Sequence, residues 1–274
     1  MNMTTDADRE RFQSGAHKYA AYLETPEGRL RLDLAFANLQ EFLPQSQRPL
    51  CALDLGGGTA ATAVRLARLG LDVTLLDSSL AMLDIAKRAA QEGGVTEKIM
   101  LTHGDAAQSA KLFAGKLFDV VLCHNILEYV EYPGAMLSDL SRLMRREPPA
   151  LLSILVRNRD GEVLKAAIHA GDLESAERSL TASWGVESLY GGRVRLFTPD
   201  ELLAMSKEAG LEVIAKRGVR VVSDYLPPQI SREAEYERIF ELERKLGQPP
   251  EFAAIARYTH YLARCAAQVM ENGA

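Results

Sequence analysis

Leu53-Asp54-Leu55-Gly56-Gly57-Gly58-Thr59-Ala60-Ala61 runs from an apolar segment through three successive glycines into an alanine-rich amphipathic one. A short apolar run entering a glycine turn that opens a helix is the context a nucleotide-binding turn needs, because glycine permits a tight turn and lets a ligand lie against bare backbone. The pattern on either side repeats this unit. Short apolar-rich runs at residues 52–55, 73–77, 100–102, 118–123 and 151–156 predict strands, and amphipathic stretches at 61–69, 79–90 and 135–144 predict helices between them. Strands that are apolar-rich rather than alternating belong to a parallel sheet covered on both faces, so the succession of strands and helices predicts a doubly wound α/β sheet.

Outside that repeat, the first forty-odd residues read as helix up to the break at Gln45-Ser46-Gln47-Arg48-Pro49. After Val156 the rhythm changes. Residues 158–197 hold two predicted helices (161–170 and 173–180) and no strand, and are read as an insert over the open end of the sheet. Thr198-Pro199-Asp200-Glu201 then starts a helix with a Thr N-cap and Pro at the first turn. A strand at 211–220, a charged helix at 232–246 and a last strand at 258–264 complete the pattern. The expected architecture is a Rossmann-like, seven-stranded, mostly parallel sheet with N-terminal helices and a helical insert after the fifth strand. A single domain over 1–274 would then comprise a cap (1–47), a cofactor-binding core (48–156), a lid (157–198) and the C-terminal part of the sheet (199–274).

The 274 residues (30.1 kDa) are 47% hydrophobic and 25% charged with a net charge of −5, an ordinary globular composition that excludes a chain coating nucleic acid by bulk charge. Cys51, Cys123 and Cys265 are odd in number and widely spaced, which excludes a disulfide framework, and no CxxC pair or His-rich tract suggests a metal site. Cys51 and Cys123 lie in apolar runs and read as packing residues. No apolar run is long enough for a membrane span and the N-terminus does not read as a signal peptide, so a reduced, cytoplasmic protein is expected.

Two ligand classes share the glycine-turn layout. Gly56, Gly58 and Ala61 can be aligned with the dinucleotide pattern G-x-G-x-x-A. Asp54 argues against it, since a carboxylate beside the turn repels a pyrophosphate and welcomes a cationic ligand. S-adenosylmethionine carries an ammonium and a sulfonium and no phosphate. Asp77 ends the second strand, placed to accept from ribose hydroxyls, and Asp105 follows the third strand, placed to accept from an adenine amino group.

The turn, with Asp54, Gly56 and Gly58 on the pattern D-x-G-x-G-x-G and Ala60 in place of its last glycine, resembles the class I S-adenosylmethionine-dependent methyltransferases over about residues 48–156. Five segments, the turn among them, look like the bacterial tRNA 5-carboxymethoxyuridine methyltransferases, in order along the chain. They are Gly28-Arg29-Leu30-Arg31, the turn itself, His124-Asn125-Ile126-Leu127-Glu128-Tyr129-Val130, the run 218–226 (Gly-Val-Arg-Val-Val-Ser-Asp-Tyr-Leu) and the run 257–264 (Arg-Tyr-Thr-His-Tyr-Leu-Ala-Arg). The resemblance implies cofactor contacts at Arg31, Gly56, Gly57, Asp77 and His124, with Asp105 and Ala106 in the loop after the third strand. It also implies a carboxylate on a modified wobble uridine as methyl acceptor.

A carboxylate acceptor is ionised at neutral pH and needs a cation to hold it rather than a base. Arg157, Arg195 and Arg220 are the candidate clamp, with Tyr225 as a hydrogen-bond donor. Tyr19 and Tyr22, three apart on a helix face, could close over the cofactor, and Glu241 and Glu243 read as a solvated helix face. No nucleophile elbow is present. Just before the Thr198-Pro199-Asp200 helix, where the resemblance leads one to expect lysine-rich sequence, the chain has only Arg193 and Arg195. Two alternatives to tRNA modification therefore stay open: a methyltransferase acting on a small metabolite, and a protein that binds the cofactor without chemistry.

Overall fold

The computed structural model describes residues 6–187, 189 and 191–267, with side chains from Glu10 onward. Two helices come first, α1 (Asp6–Leu23) and α2 (Pro26–Gln40). The break between them, inside a region expected to be continuous helix, is made by Thr25, whose hydroxyl accepts from Gly28 N, and by Pro26 in the first turn.

The alternating core follows: β1 (Cys51–Leu55), α3 (Ala61–Arg68), β2 (Asp72–Asp77), α4 (Leu80–Glu92), β3 (Ile99–His103), α5 (Ser109–Leu112), β4 (Val120–His124), α6 (Pro133–Leu143) and β5 (Leu151–Arg157). The insert carries α7 (Arg159–Leu164), which runs into a π-helical turn over Lys165–His169, then α8 (Leu173–Ser179). It also contains a two-stranded ribbon, β6 (Trp184–Val186) with β7 (Arg193–Arg195). This corrects the strandless expectation: three-residue strands are too short for a period-two signal to stand out. The chain ends with α9 (Pro199–Glu208), β8 (Leu211–Val219), α10 (Tyr236–Leu246), α11 (Pro250–Ala253) and β9 (Tyr258–Cys265).

Seven strands form one sheet in the order β3-β2-β1-β4-β5-β9-β8, with β9 antiparallel to both neighbours and the first five parallel. Residues alternate between its two faces. Leu53, Leu55, Val121 and Cys123 pack with Met136, Leu137 and Leu140 of α6, while Ala52, Val120 and Leu122 pack with Leu66, Ala67 and Ala86 of α3 and α4. Both faces are covered, which is why these strands are predominantly apolar on both sides rather than alternating. The strand order reverses about β1, so the crevice outside the carboxyl ends of β1 and β4 is where this topology places a ligand. Among the described residues, no helix is long and apolar enough to cross a membrane and no cluster of acids, histidines and cysteines is arranged for a metal.

Candidate cofactor and substrate site

The glycine turn is tied to the end of β2. Gly56 N and Gly57 N both donate to Leu76 O, at 2.7 and 3.3 Å, and Gly58 N donates to the Asp77 carboxylate at 2.9 Å. Gly56 has φ 64°, and a Cβ there would meet the Ile126 side chain at 2.0 Å, so a larger residue would be strained and would have to displace Ile126. Around Gly58 (φ 52°) nothing lies closer than the Tyr19 ring at 3.7 Å, which leaves a bare backbone surface toward a cavity lined by Tyr19, Asp77, Met82, Asp105, Ala106 and His124. Ala60 holds φ 64° without being glycine, a strained conformation at the mouth of α3.

Asp77 and Asp105 line this cavity, and Asp54 lines an adjoining hollow behind the same glycine turn. Asp54 is buried, its Oδ2 has no hydrogen-bond partner, and burial together with the neighbouring Asp77 pushes its pKa up to about 7. Burial also raises Asp77, although Ser79 N and Gly58 N donate to it and pull the other way. Asp77 therefore shapes the turn as well as facing the cavity. Asp105 accepts from Ala107 N at 3.0 Å and caps the short turn at Ala106–Gln108. A buried, orphaned carboxylate oxygen at Asp54 and a glycine cradle beside it fit a ligand with a cationic amino group.

His124, at the end of β4, contacts Ser153 Oγ through Nε2 at 2.7 Å; Ser153 Oγ contacts His260 Nε2 at 2.7 Å, and Asn38 Nδ2 reaches His260 Nδ1 at 3.2 Å. The donors order this chain. Asn38 gives its N–H to Nδ1 of His260, so His260 is protonated on Nε2 and donates to Ser153, whose single hydroxyl proton goes to His124 Nε2. His124 then carries its proton on Nδ1, on a ring that lines the cofactor cavity. Burial, with Arg31 nearby, pushes the His124 pKa down to about 3, and burial lowers His260 too, so both rings are neutral. Ser153, His260 and Asn38 were not singled out from sequence, because nothing local joins residues 222 positions apart.

Arg31 on α2 is 6% exposed and makes no ion pair with a carboxylate among the described residues. Its guanidinium donates to Tyr19 Oη at 2.9 Å and lies among the rings of Tyr19, Tyr22 and Tyr258. It borders both the hollow that contains Asp54 and a larger cavity of about 900 Å³. That larger cavity is lined by Arg157, Lys165, Arg220, Tyr225, Arg257 and Tyr258, among others. Arg157 pairs with Glu162 and Glu187 at 3.3 and 2.8 Å, Arg257 with Glu162 and Asp224 at 2.9 and 3.1 Å, and Arg220 with Asp224. Burial alone would raise the Tyr258 phenol, but Arg157, Arg31, Arg220 and Arg257 together bring it down to about 8.

The structure therefore gathers Arg157, Arg220 and Tyr225 at one cavity, but not Arg195, which lies on the ribbon against the Trp184 ring. Arg257 and Tyr258 join the cavity instead; strand register, with Tyr258 opposite Arg157 and Val219, puts them there. Glu243 departs from the solvated face expected of it. It is fully buried and its carboxylate accepts from Val221 N, Val222 N and Ser223 N at 2.6, 2.9 and 2.6 Å, holding the loop after β8 that presents Arg220 and Asp224.

Residues 27–216 match the family model described as a methyltransferase domain. The chain is 30% identical over 247 residues to the tRNA 5-carboxymethoxyuridine methyltransferase of Escherichia coli strain K12, covering 88% of this chain and 90% of that one. Among solved structures, it resembles a possible histamine N-methyltransferase from Thermotoga maritima (TM-score 0.62, 14% identity, 93% of this chain and 99% of that one). It also resembles the magnesium protoporphyrin IX methyltransferase of Synechocystis with bound S-adenosylhomocysteine (TM-score 0.61, 16% identity, 94% and 98%). With the glycine turn, the acidic residues around it and the strand order agreeing, the chain belongs to the methyltransferase-domain family and is a class I S-adenosylmethionine-dependent methyltransferase.

Proposed function

We propose that the chain methylates a carboxylate of a modified wobble uridine in tRNA, at the arginine-lined cavity. The observation that carries this reading is the shared wall: Arg31 and Tyr19 border both the glycine-turn hollow and a cavity with Arg157, Arg220 and Arg257 on its surface. Bound S-adenosylmethionine supplies an electrophilic methyl whose transfer leaves a neutral thioether. The protein's part is alignment. Asp54 would hold the ammonium, Arg31 the cofactor carboxylate, Asp77 the ribose, Asp105 and Ala106 the adenine, and His124 would donate through Nδ1. Gly56, Gly57 and Gly58 leave room for close approach. Arg157 and Arg220, held rigid by their acid partners, keep further N–H groups for the acceptor carboxylate, and Tyr225 adds a donor.

Because the acceptor is already ionised, positioning replaces proton removal as the main task. Residues Lys165, Ile168, His169 and Leu189 of the insert wall the same cavity, consistent with a lid over 157–198 that excludes water. A tRNA acceptor would place the enzyme in the cytoplasm.

The test is transfer from methyl-labelled S-adenosylmethionine to bulk tRNA and, separately, to a metabolite extract. Alkali-labile label on tRNA, the signature of a methyl ester, is expected. Label on a small metabolite with none on tRNA would replace the acceptor; the net charge of −5 and the cavity volume favour that as the second reading. Cofactor binding with no transfer to either pool would reject catalysis.

A further inference from the structure

We infer that the outer face of the insert ribbon is a nucleotide-docking surface, on which the Trp184 indole stacks with an unpaired RNA base while Arg193 and Arg195 take the adjoining phosphates; the inference rests on the tRNA reading above. The register pairs Trp184 with Arg195 and Val186 with Arg193, so these four side chains share one face. Val194, on the other face, is fully buried, and Gly185 lies against Leu196. The shared face is turned outward: Trp184 is 41% and Val186 73% exposed, and Arg193 is exposed.

The two guanidiniums lie 4.7 and 5.1 Å from the Trp184 ring centroid, and neither has a carboxylate partner among the described residues. That is unlike Arg157, Arg220 and Arg257, each of which is paired with an acid. An exposed indole beside two unneutralised cations, on a chain whose net charge is −5, is complementary to single-stranded nucleic acid, where bases stack on aromatics and phosphates meet arginine. A solvated protein surface of ordinary kind has no need to hold two like charges against a large exposed apolar ring.

The ribbon also has the right connection to the cavity. Its turn carries Glu187, which pairs with Arg157 of the cavity wall at 2.8 Å, and Leu189, which lines the cavity. Trp184 lies three residues back along the strand, about 10 Å at roughly 3.3 Å per residue. This is the reach of about three stacked nucleotides at roughly 3.4 Å each. A base flipped into the arginine cavity would leave its unpaired neighbours beside the ribbon.

Trp184 is the one tryptophan in the chain, so its emission reports this face directly. Titrating the protein with a synthetic RNA hairpin bearing a uridine-containing single-stranded loop should quench that emission, and a fully paired duplex should do so far less. Trp184→Ala should raise the KM for tRNA about 5- to 100-fold with kcat held. Arg193→Glu with Arg195→Glu should weaken hairpin binding and flatten its log–log salt dependence by about 1.4. S-adenosylhomocysteine affinity and the thermal midpoint should be unchanged in both variants, which separates docking from folding. Unchanged emission with the hairpin, or an unchanged tRNA KM in both variants of an enzyme that methylates tRNA, overturns the ribbon proposal alone. Normal cofactor binding with no label on tRNA overturns the acceptor reading, and the fluorescence titration still decides on the ribbon.

Discussion

Asp54 has its charge set by what lies beside it. Buried next to Asp77, it titrates near 7, and one of its oxygens lacks a partner. A bound ammonium favours the ionised form, so binding below that pKa expels a proton and affinity climbs with pH, by up to about tenfold per unit. The rise should level off as pH passes about 7, where Asp54 is ionised before the ligand arrives, and turn to a fall above roughly 7.7–8.0, where an α-amino group loses its own proton. Calorimetry with S-adenosylhomocysteine at pH 6, in two buffers of different ionisation heat, should therefore detect proton release. Asp54→Asn should remove that release and weaken binding at pH 7.5 by about 1.5–3 kcal/mol. Buffer-independent heats in the wild type would argue that Asp54 does not face the ammonium.

Elements matter here by what they carry to one another. Strands β4, β5 and β9 and helix α2 each contribute one member of the chain His124, Ser153, His260 and Asn38. In protein labelled with 15N-histidine, His124 should show protonated Nδ1 and bare Nε2, and His260 the reverse. Ser153→Ala should cost about 1–3 kcal/mol of stability, since it strands two buried ring nitrogens. An Nε2-protonated His124 in the wild type would reject the donor order. Helix α10 does comparable work through Glu243, which collects three backbone N–H groups of the loop after β8. Glu243→Gln turns an amide N–H₂ toward one of those donors. It should lower stability by about 1–3 kcal/mol and raise the acceptor KM through Arg220, while cofactor affinity stays within about twofold. Loss of cofactor binding in step with acceptor binding would point to general unfolding instead.

The arginine cavity exists only when the whole molecule is assembled: α1, α2, β5, the insert, the loop after β8 and the start of β9 each supply part of its wall. Four guanidiniums around one phenol bring Tyr258 to about 8. Below that pH the phenol is neutral and the cavity keeps its positive charge; above it a phenolate partly cancels that charge and repels an anionic acceptor. The KM for the acceptor should therefore rise as pH increases through about 8, while kcat stays flat from about 6 to 9 because a carboxylate with an ordinary pKa near 4 needs no deprotonation. Tyr258→Phe should abolish the KM rise. A kcat that climbs with pH would instead favour an amine or phenol acceptor.

Much of this could be read along the chain. The seven main strands, the glycine turn and the acid ending β2 are local features: short apolar-rich runs, consecutive glycines, and an aspartate one helix and one strand further on. Each is specified within a few residues by steric and burial requirements that hold in any doubly wound sheet. The residues that complete the site are specified by distance in space. Ser153 meets His260 across 107 positions, Tyr258 reaches Arg157 through strand register, and Glu243 lies on a helix whose other carboxylates are solvated. Charge patterning along α10 gave no sign that one acid turns inward, because a helix face is buried or exposed only by what packs on it. Arg195 and Arg220 look alike as letters in the sequence; one came to rest on an exposed ribbon and the other inside the cavity, because a short hairpin in the insert and the end of a central-sheet strand carry them to different places.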